Sequence, residues 1–379
     1  MKRSLLFLLP VFAVFFFNDP AFSQSAEQRS AAVPLKNQVK SVQEMVLIHS
    51  KDFPANTQLS IALIENGAVT FYGFLKTRDR VTPVHNEDRI FEIGSITKVF
   101  TSTVLAGLVT EGALRLEDRI NPYYPFPFHR DIQLDFKSLA NHSSGLPRLP
   151  SNFAAARTEP LNPYLNYDVH FLEAYLKNQL TQQQPAGEKF EYSNLGAGLL
   201  GYTLGRSQKT SFTELLKKKV FDKYKMAHTY TRPSQAGQQL IRGLNAKGEA
   251  VPNWDFDVLF AGGGILSSAC DLSKFAIAQF DSTNRELALT RVPTFTVNDR
   301  MQIGLGWHII QSNYGKVFCW HNGGTGGYSS SMAVDVASRK GIILLSNVSA
   351  FHPEKEHIDQ LCFALMRYIE TDGRPHLSK

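Results

Sequence analysis

The sequence predicts an α/β fold: an antiparallel sheet flanked by helices, with a largely helical domain inserted into it. Three observations predict it. Apolar, partly β-branched runs cluster near both ends of the 379-residue chain. The middle carries short helical patterns interrupted by prolines and glycines. A hydrophobic fraction of 43% against 20% charged residues requires a substantial packed core. The same composition excludes disordered, collagen-like and disulfide-scaffold chains. The formal charge of +6 is scattered. Its densest run, Lys217, Lys218 and Lys219, reads as a solvated helix face, so no nucleic-acid partner is expected.

Lys2 and Arg3 precede an apolar stretch from Leu5 to Phe17, too short to cross ~30 Å of hydrocarbon as a helix. Ala21-Phe22-Ser23 offers small residues at the −3 and −1 positions of a cleavage site. Residues 1–23 therefore read as a secretory signal peptide, which implies a bacterial periplasmic location. Asn18, Asp19 and Pro20 argue against an uncleaved anchor. No later run resembles a transmembrane helix, and no cysteine near the cut supports a lipid anchor.

Residues 35–53 carry Leu35, Val39, Val42, Met45, Val46 and Ile48 at helical intervals. Leu59–Ile64 and Ala68–Phe74 flank Asn66-Gly67, a strong hairpin signal. Ser95–Thr110 reads as a helix, with Gly112 just beyond as its stop. From 119 to 170 prolines break any long regular element. Short helices follow around 169–179, 195–205 and 211–224. After Ala261-Gly262-Gly263-Gly264 comes another at Asp271–Gln279. Val317–Trp320, Ser331–Val336 and Ile342–Asn347 read as strands, the last two joined by a turn at Ser338–Gly341. Ile358–Ile369 closes the chain as an amphipathic helix. The domains expected are a sheet domain from 24–118 and 290–379, and a mainly helical insertion over 119–289.

Cys270, Cys319 and Cys362 are odd in number, so at least one is unpaired. Buried free thiols are the reading preferred, although Cys319 and Cys362 could meet. No Cys/His spacing resembles a zinc site; His352 and His357, five apart, are poorly spaced for shared ligation on a helix.

Three stretches carry chemistry. In Gly94-Ser95-Ile96-Thr97-Lys98 the serine and lysine share one helix face, so the amine can reach the hydroxyl. A serine at a helix start also has free N–H groups beside it, able to stabilise an oxyanion. A capping serine and a solvent-facing lysine produce the same pattern. In Tyr192-Ser193-Asn194 a tyrosine beside an ammonium can have a lowered pKa and shuttle protons, while the asparagine can bond the lysine or a substrate amide. Tyr164-Leu165-Asn166 has the same spacing but reads as a surface loop with Tyr164 packed. In His321-Asn322-Gly323-Gly324, at a strand end, small residues admit a substrate backbone. There the Gly324 N–H can supply a second oxyanion donor, and His321 can hold a carboxylate.

In this order the three stretches resemble the serine penicillin-recognising hydrolases, the family of class C β-lactamases, D-Ala-D-Ala peptidases and related esterases. Asn141-His142-Ser143-Ser144-Gly145-Leu146-Pro147 and Gly262–Ser268 add to the resemblance, which covers roughly residues 40–350. It implies a β-lactamase/transpeptidase-like fold with the site between a sheet domain and a helical one. Ser95 would be the acylated nucleophile and Lys98 with Tyr192 the proton-transfer pair. Asn194 would order the site, and the Ser95 and Gly324 N–H groups would form the oxyanion hole beside Gly323. The expected substrate is a β-lactam, a D-alanyl peptide or an ester, with no metal and no organic cofactor. A carboxylesterase and a non-catalytic peptidoglycan binder are the alternatives.

Two stretches depart from the family pattern. Efficient class C β-lactamases are expected to carry Lys-Thr-Gly where this chain has His-Asn-Gly. With an unperturbed pKa of ~6.5, His321 would hold a carboxylate better as pH falls below its pKa. Glu159-Pro160-Leu161-Asn162 is similar to a class A deacylation motif but is one residue short and precedes Tyr192, so it reads as a loop.

Overall fold

The computed structural model describes residues 41–78 and 80–371. The leader read at 1–23 and the beginning of the helix read over 35–53 lie outside them. Within them, six helices have eight residues or more: α1 Val42–His49, α2 Thr97–Thr110, α3 Val169–Asn178, α4 Asn194–Ser207, α5 Ala269–Ala278 and α6 Glu356–Glu370.

The strands are β1 Thr57–Glu65, β2 Ala68–Lys76, β3 Val81–Val84, β4 Phe91–Glu92, β5 Leu266–Ser267 and β6 Phe295–Asn298. They continue with β7 Met301–Ile303, β8 His308–Gln311, β9 Val317–Gly324, β10 Ser329–Asp335 and β11 Lys340–Ser346. Nine of them form one antiparallel sheet in the order β3-β2-β1-β11-β10-β9-β8-β7-β6; β4 and β5 pair apart from it. Asn66 and Gly67, at φ 52° and 87°, make the tight turn between β1 and β2.

Both faces of the sheet are covered. Leu59, Ile61 and Leu63 of β1 pack with Val46 of α1 and Leu361 and Leu365 of α6. Ala62 and Ile64 point the other way, into a larger core with Val99 and Phe100 of α2 and Phe275 of α5. Each buried Leu, Ile or Phe contributes ~1.5–3 kcal/mol. This double burial is why β1 and β11 read as apolar runs rather than alternations.

The architecture is a large antiparallel sheet flanked by helices, mixed α and β, as the sequence predicts. Three details differ. Six strands, β3 through β8, are not read from the sequence; each has at most four residues and takes its pairing from its neighbours. The last turn falls earlier than 338–341: Arg339 takes φ 55°, while Lys340 and Gly341 already pair with Asp335 and Val334. And β9 runs past Trp320 to Gly324, so His321 through Gly324 lie within the strand.

Cys270, Cys319 and Cys362 are all free. Along β9, Phe318 and Trp320 face the core that holds Cys362, whereas Cys319 points into the opposite one. Strand alternation thus puts the sheet between the two thiols.

Candidate active site

The site begins at the turn from β4 into α2. Gly94 takes φ +50°, a conformation that disfavours a side chain, and opens a short 3₁₀ turn, Gly94–Ile96, that runs into α2. Ser95 is left partly exposed, whereas Lys98, one turn on, is 2% exposed. Lys98 Nζ lies 2.9 Å from Ser95 Oγ and donates to the Gly262 carbonyl oxygen at 2.5 Å. Burial, reinforced by the Arg148 charge, pushes the Lys98 pKa well below the usual lysine value.

Tyr192 lies across the amine, its ring centroid 4.8 Å from Lys98 Nζ. Its pKa is raised to about 12, not lowered as the sequence suggested. Burial is the main cause and outweighs the opposing pull of the Ser95 hydroxyl and Arg148. The same burial that disfavours a phenolate also disfavours the Lys98 ammonium that would have stabilised one.

Asn194 opens α4, which Ser193 caps by accepting from the Gly196 N–H at 2.8 Å. The Asn194 amide nitrogen donates to Tyr164 Oη at 3.2 Å, and its Oδ1 is buried without a partner. Tyr164 is packed as expected, but against the site: it stacks on Phe256 at 4.4 Å. Asn162, from the stretch rejected as a catalytic motif, ties the same loop to Asp255 at 2.9 Å.

β9 presses its backbone against the serine turn. A Cβ at position 323 would strike the Ile93 carbonyl oxygen and come within 2.8 Å of the Ser95 nitrogen. One at position 94 would strike the Gly324 nitrogen. Two glycines thus let β9 and the serine turn pack backbone against backbone, with the Ser95 and Gly324 nitrogens among the atoms at that contact.

His321 is 1% exposed. Its Nδ1 sits 2.6 Å from the Asn322 carbonyl oxygen, so Nδ1 carries the proton and Nε2 is a buried acceptor without a partner. Burial, then His308 and Lys98, holds its pKa well below the usual histidine value. The expectation of a histidine titrating near 6.5 is therefore corrected: His321 is neutral.

Sequence reading assigned no role to three neighbours. His142 lies under Tyr192 with ring centroids 4.4 Å apart and accepts from the Ser193 N–H at 3.2 Å. His308 stands 5.1 Å from the His321 ring, its pKa lowered to about 4 by burial. The Arg148 guanidinium carbon lies 5.3 Å from the Tyr192 ring centroid. His142 belongs to the Asn141–Pro147 stretch already singled out; the other two had no sequence signal beyond residue type. Among the described residues, no group of three His, Cys, Asp or Glu side chains is placed to hold a metal.

A hydroxyl, an amine of lowered pKa, a phenol and two nearby backbone nitrogens are groups of the kind acyl transfer uses. A sequence model of the family described as Beta-lactamase matches residues 52–362. The chain is 27% identical over 262 residues to a Beta-lactamase of Pseudomonas fluorescens, covering 66% of this chain and 69% of that one. It is 24% identical over 300 residues to the D-alanyl-D-alanine-carboxypeptidase/endopeptidase AmpH of Escherichia coli strain K12, covering 73% and 76%. A solved Beta-Lactamase/D-Alanine Carboxypeptidase from Pseudomonas syringae superposes with a TM-score of 0.71 at 21% identity, covering 87% of this chain and 99% of that one. A solved class C beta-lactamase does so with a TM-score of 0.71 at 20% identity, covering 86% and 96%.

Proposed function

Because the chain belongs to the beta-lactamase family, whose members are serine hydrolases, we propose that it cleaves the amide bond of a β-lactam or D-alanyl peptide through an acyl-enzyme on Ser95. The observation that carries this reading is the 2.9 Å approach of Lys98 Nζ to Ser95 Oγ within a buried pocket that lowers the amine's pKa. A neutral amine can take the hydroxyl proton as Oγ attacks the carbonyl carbon. The Ser95 and Gly324 N–H groups then receive the oxyanion. Tyr192, a phenol with its pKa near 12, gives its proton to the departing nitrogen and regains one from the Lys98 ammonium. Water releases the acyl group in a second half-reaction. The unpartnered Asn194 Oδ1 accepts from the substrate amide.

A second reading, a carboxylesterase, is favoured by the neutral His321, since β9 then brings no cation for a substrate carboxylate. The leader at 1–23 supports export to the compartment where peptidoglycan and β-lactams are found.

Mass spectrometry after penicillin exposure tests the nucleophile. A penicilloyl mass on the Ser95 peptide, absent in Ser95→Ala, is expected. No adduct, with no turnover of a cephalosporin, a D-Ala-D-Ala peptide or a p-nitrophenyl ester, would leave the non-catalytic binder. Turnover of the ester alone would select the esterase.

A further inference from the structure

Burial disfavours a charge on His321, so a cation for an acidic group on the substrate is sought elsewhere. The basic side chains facing the Tyr192 ring are Lys98 and Arg148. Lys98 is buried and engaged by Ser95 and the Gly262 carbonyl. Arg148 is exposed, and among the described residues no carboxylate pairs with it. Arg119 and Arg206, by contrast, hold Asp135 and Glu173.

The Arg148 main chain is fixed to the site. Its carbonyl oxygen accepts from the N–H groups of Asn194 and Leu195 at 3.0 and 3.1 Å, and the neighbouring Pro147 carbonyl accepts from Ser193 Oγ at 2.7 Å. A shift of α4 therefore carries Arg148 with Tyr192 and Asn194. Its charge reaches Lys98, Tyr192, Tyr164 and His142, all of which feel it. A guanidinium stays charged throughout the physiological range and grips a carboxylate with two parallel N–H donors.

Resting on the Ser95 acyl-enzyme reading, we propose that Arg148 is the specificity residue that binds a substrate carboxylate at the mouth of the site, in place of a cation on β9. The ligand class is a small acyl compound or peptide with a free carboxylate beside the scissile bond.

The test is binding to Ser95→Ala, which cannot be acylated there, of N-acetyl-D-Ala-D-Ala and of its C-terminal amide, by calorimetry. The acid is expected to bind on the order of tenfold more tightly than the amide, the scale of one charge-assisted hydrogen-bonded contact. Adding Arg148→Gln should erase that ratio, and Arg148→Lys should restore part of it. Equal binding of acid and amide, binding of neither, or a ratio that survives Arg148→Gln overturns the assignment. Penicillin labelling of the wild-type serine separates the two levels. A labelled Ser95 with no acid preference removes only Arg148; an unlabelled one removes the acyl-enzyme reading itself.

Discussion

Lys98 and His321 are both basic side chains whose charged forms burial disfavours, and the consequences differ. For Lys98, a lowered pKa raises the share of free amine that can act as a base. For His321, it removes the charge that pH could have switched. KM for a carboxylated substrate is therefore expected to stay flat between about pH 5 and 8, the usual histidine window. Steady-state kinetics across that range check it; a KM that falls with pH would return the role to His321. The spacing of Ser95 and Lys98 made their contact legible from the chain, because a helix puts residues three apart on one face. The Tyr192 pKa was not legible. Its sign is set by how much water reaches the ring, and Arg148 and His308 approach from segments whose convergence no local pattern announces.

At the scale of elements, the site depends on β9 lying flush against the turn before α2. Gly323→Ala would force the strand away from Ile93 and Ser95 and pull the Gly324 amide out of reach. A loss of about 10²–10³ in the acylation rate is expected, the scale for removing one oxyanion donor. Far-UV circular dichroism should be unchanged. Gly315→Ala is the control. It strains a φ of +82° in the β8–β9 turn but meets nothing within 4 Å, so stability should fall slightly with no loss of rate. Equal rates for the two variants would refute the packing argument. The long strands, the first hairpin and the helices were readable because burial on both faces or one stripe leaves a periodic trace. The outer strands were not: β3 holds a proline and β6 alternates half-buried with exposed residues over four positions, a pattern that a loop also produces.

For the molecule as a whole, we propose the division into a sheet domain and a helical insertion over 119–289 as one of topology rather than of stability. The larger core joins Ala62 and Ile343 of the sheet to Leu172 of α3 and Leu199 of α4, and α5, from within the insertion, packs on the sheet. Urea unfolding should be a single transition with a pH dependence of opposing parts. His308, with a native pKa near 4 against ~6.5 unfolded, contributes stability that is full above pH ~6.5 and is lost as pH falls toward 4. Glu92, 4% exposed between Asn253 and the Trp254 N–H, is raised by burial to about 7. Its contribution runs the other way, full below pH ~4.5 and lost as pH rises through 7. Glu92→Gln should therefore be more stable than wild type at pH 8, by up to ~3 kcal/mol, and equal to it near pH 4. Two resolved transitions, or no gain at pH 8, would contradict this.

The pairing of β1 has a consequence in time. One edge of β1 is satisfied by β2 as soon as the first hairpin forms, but the other waits for β11, the last of the described strands in chain order. Until residues 340–346 arrive, Leu59, Ile61 and Leu63 have no complete cover and β1 remains an open template for any passing strand. Pairings this distant along a chain form slowly. Such a chain commits late, so its first hairpin depends on staying clear of other strands until its last strand has been made.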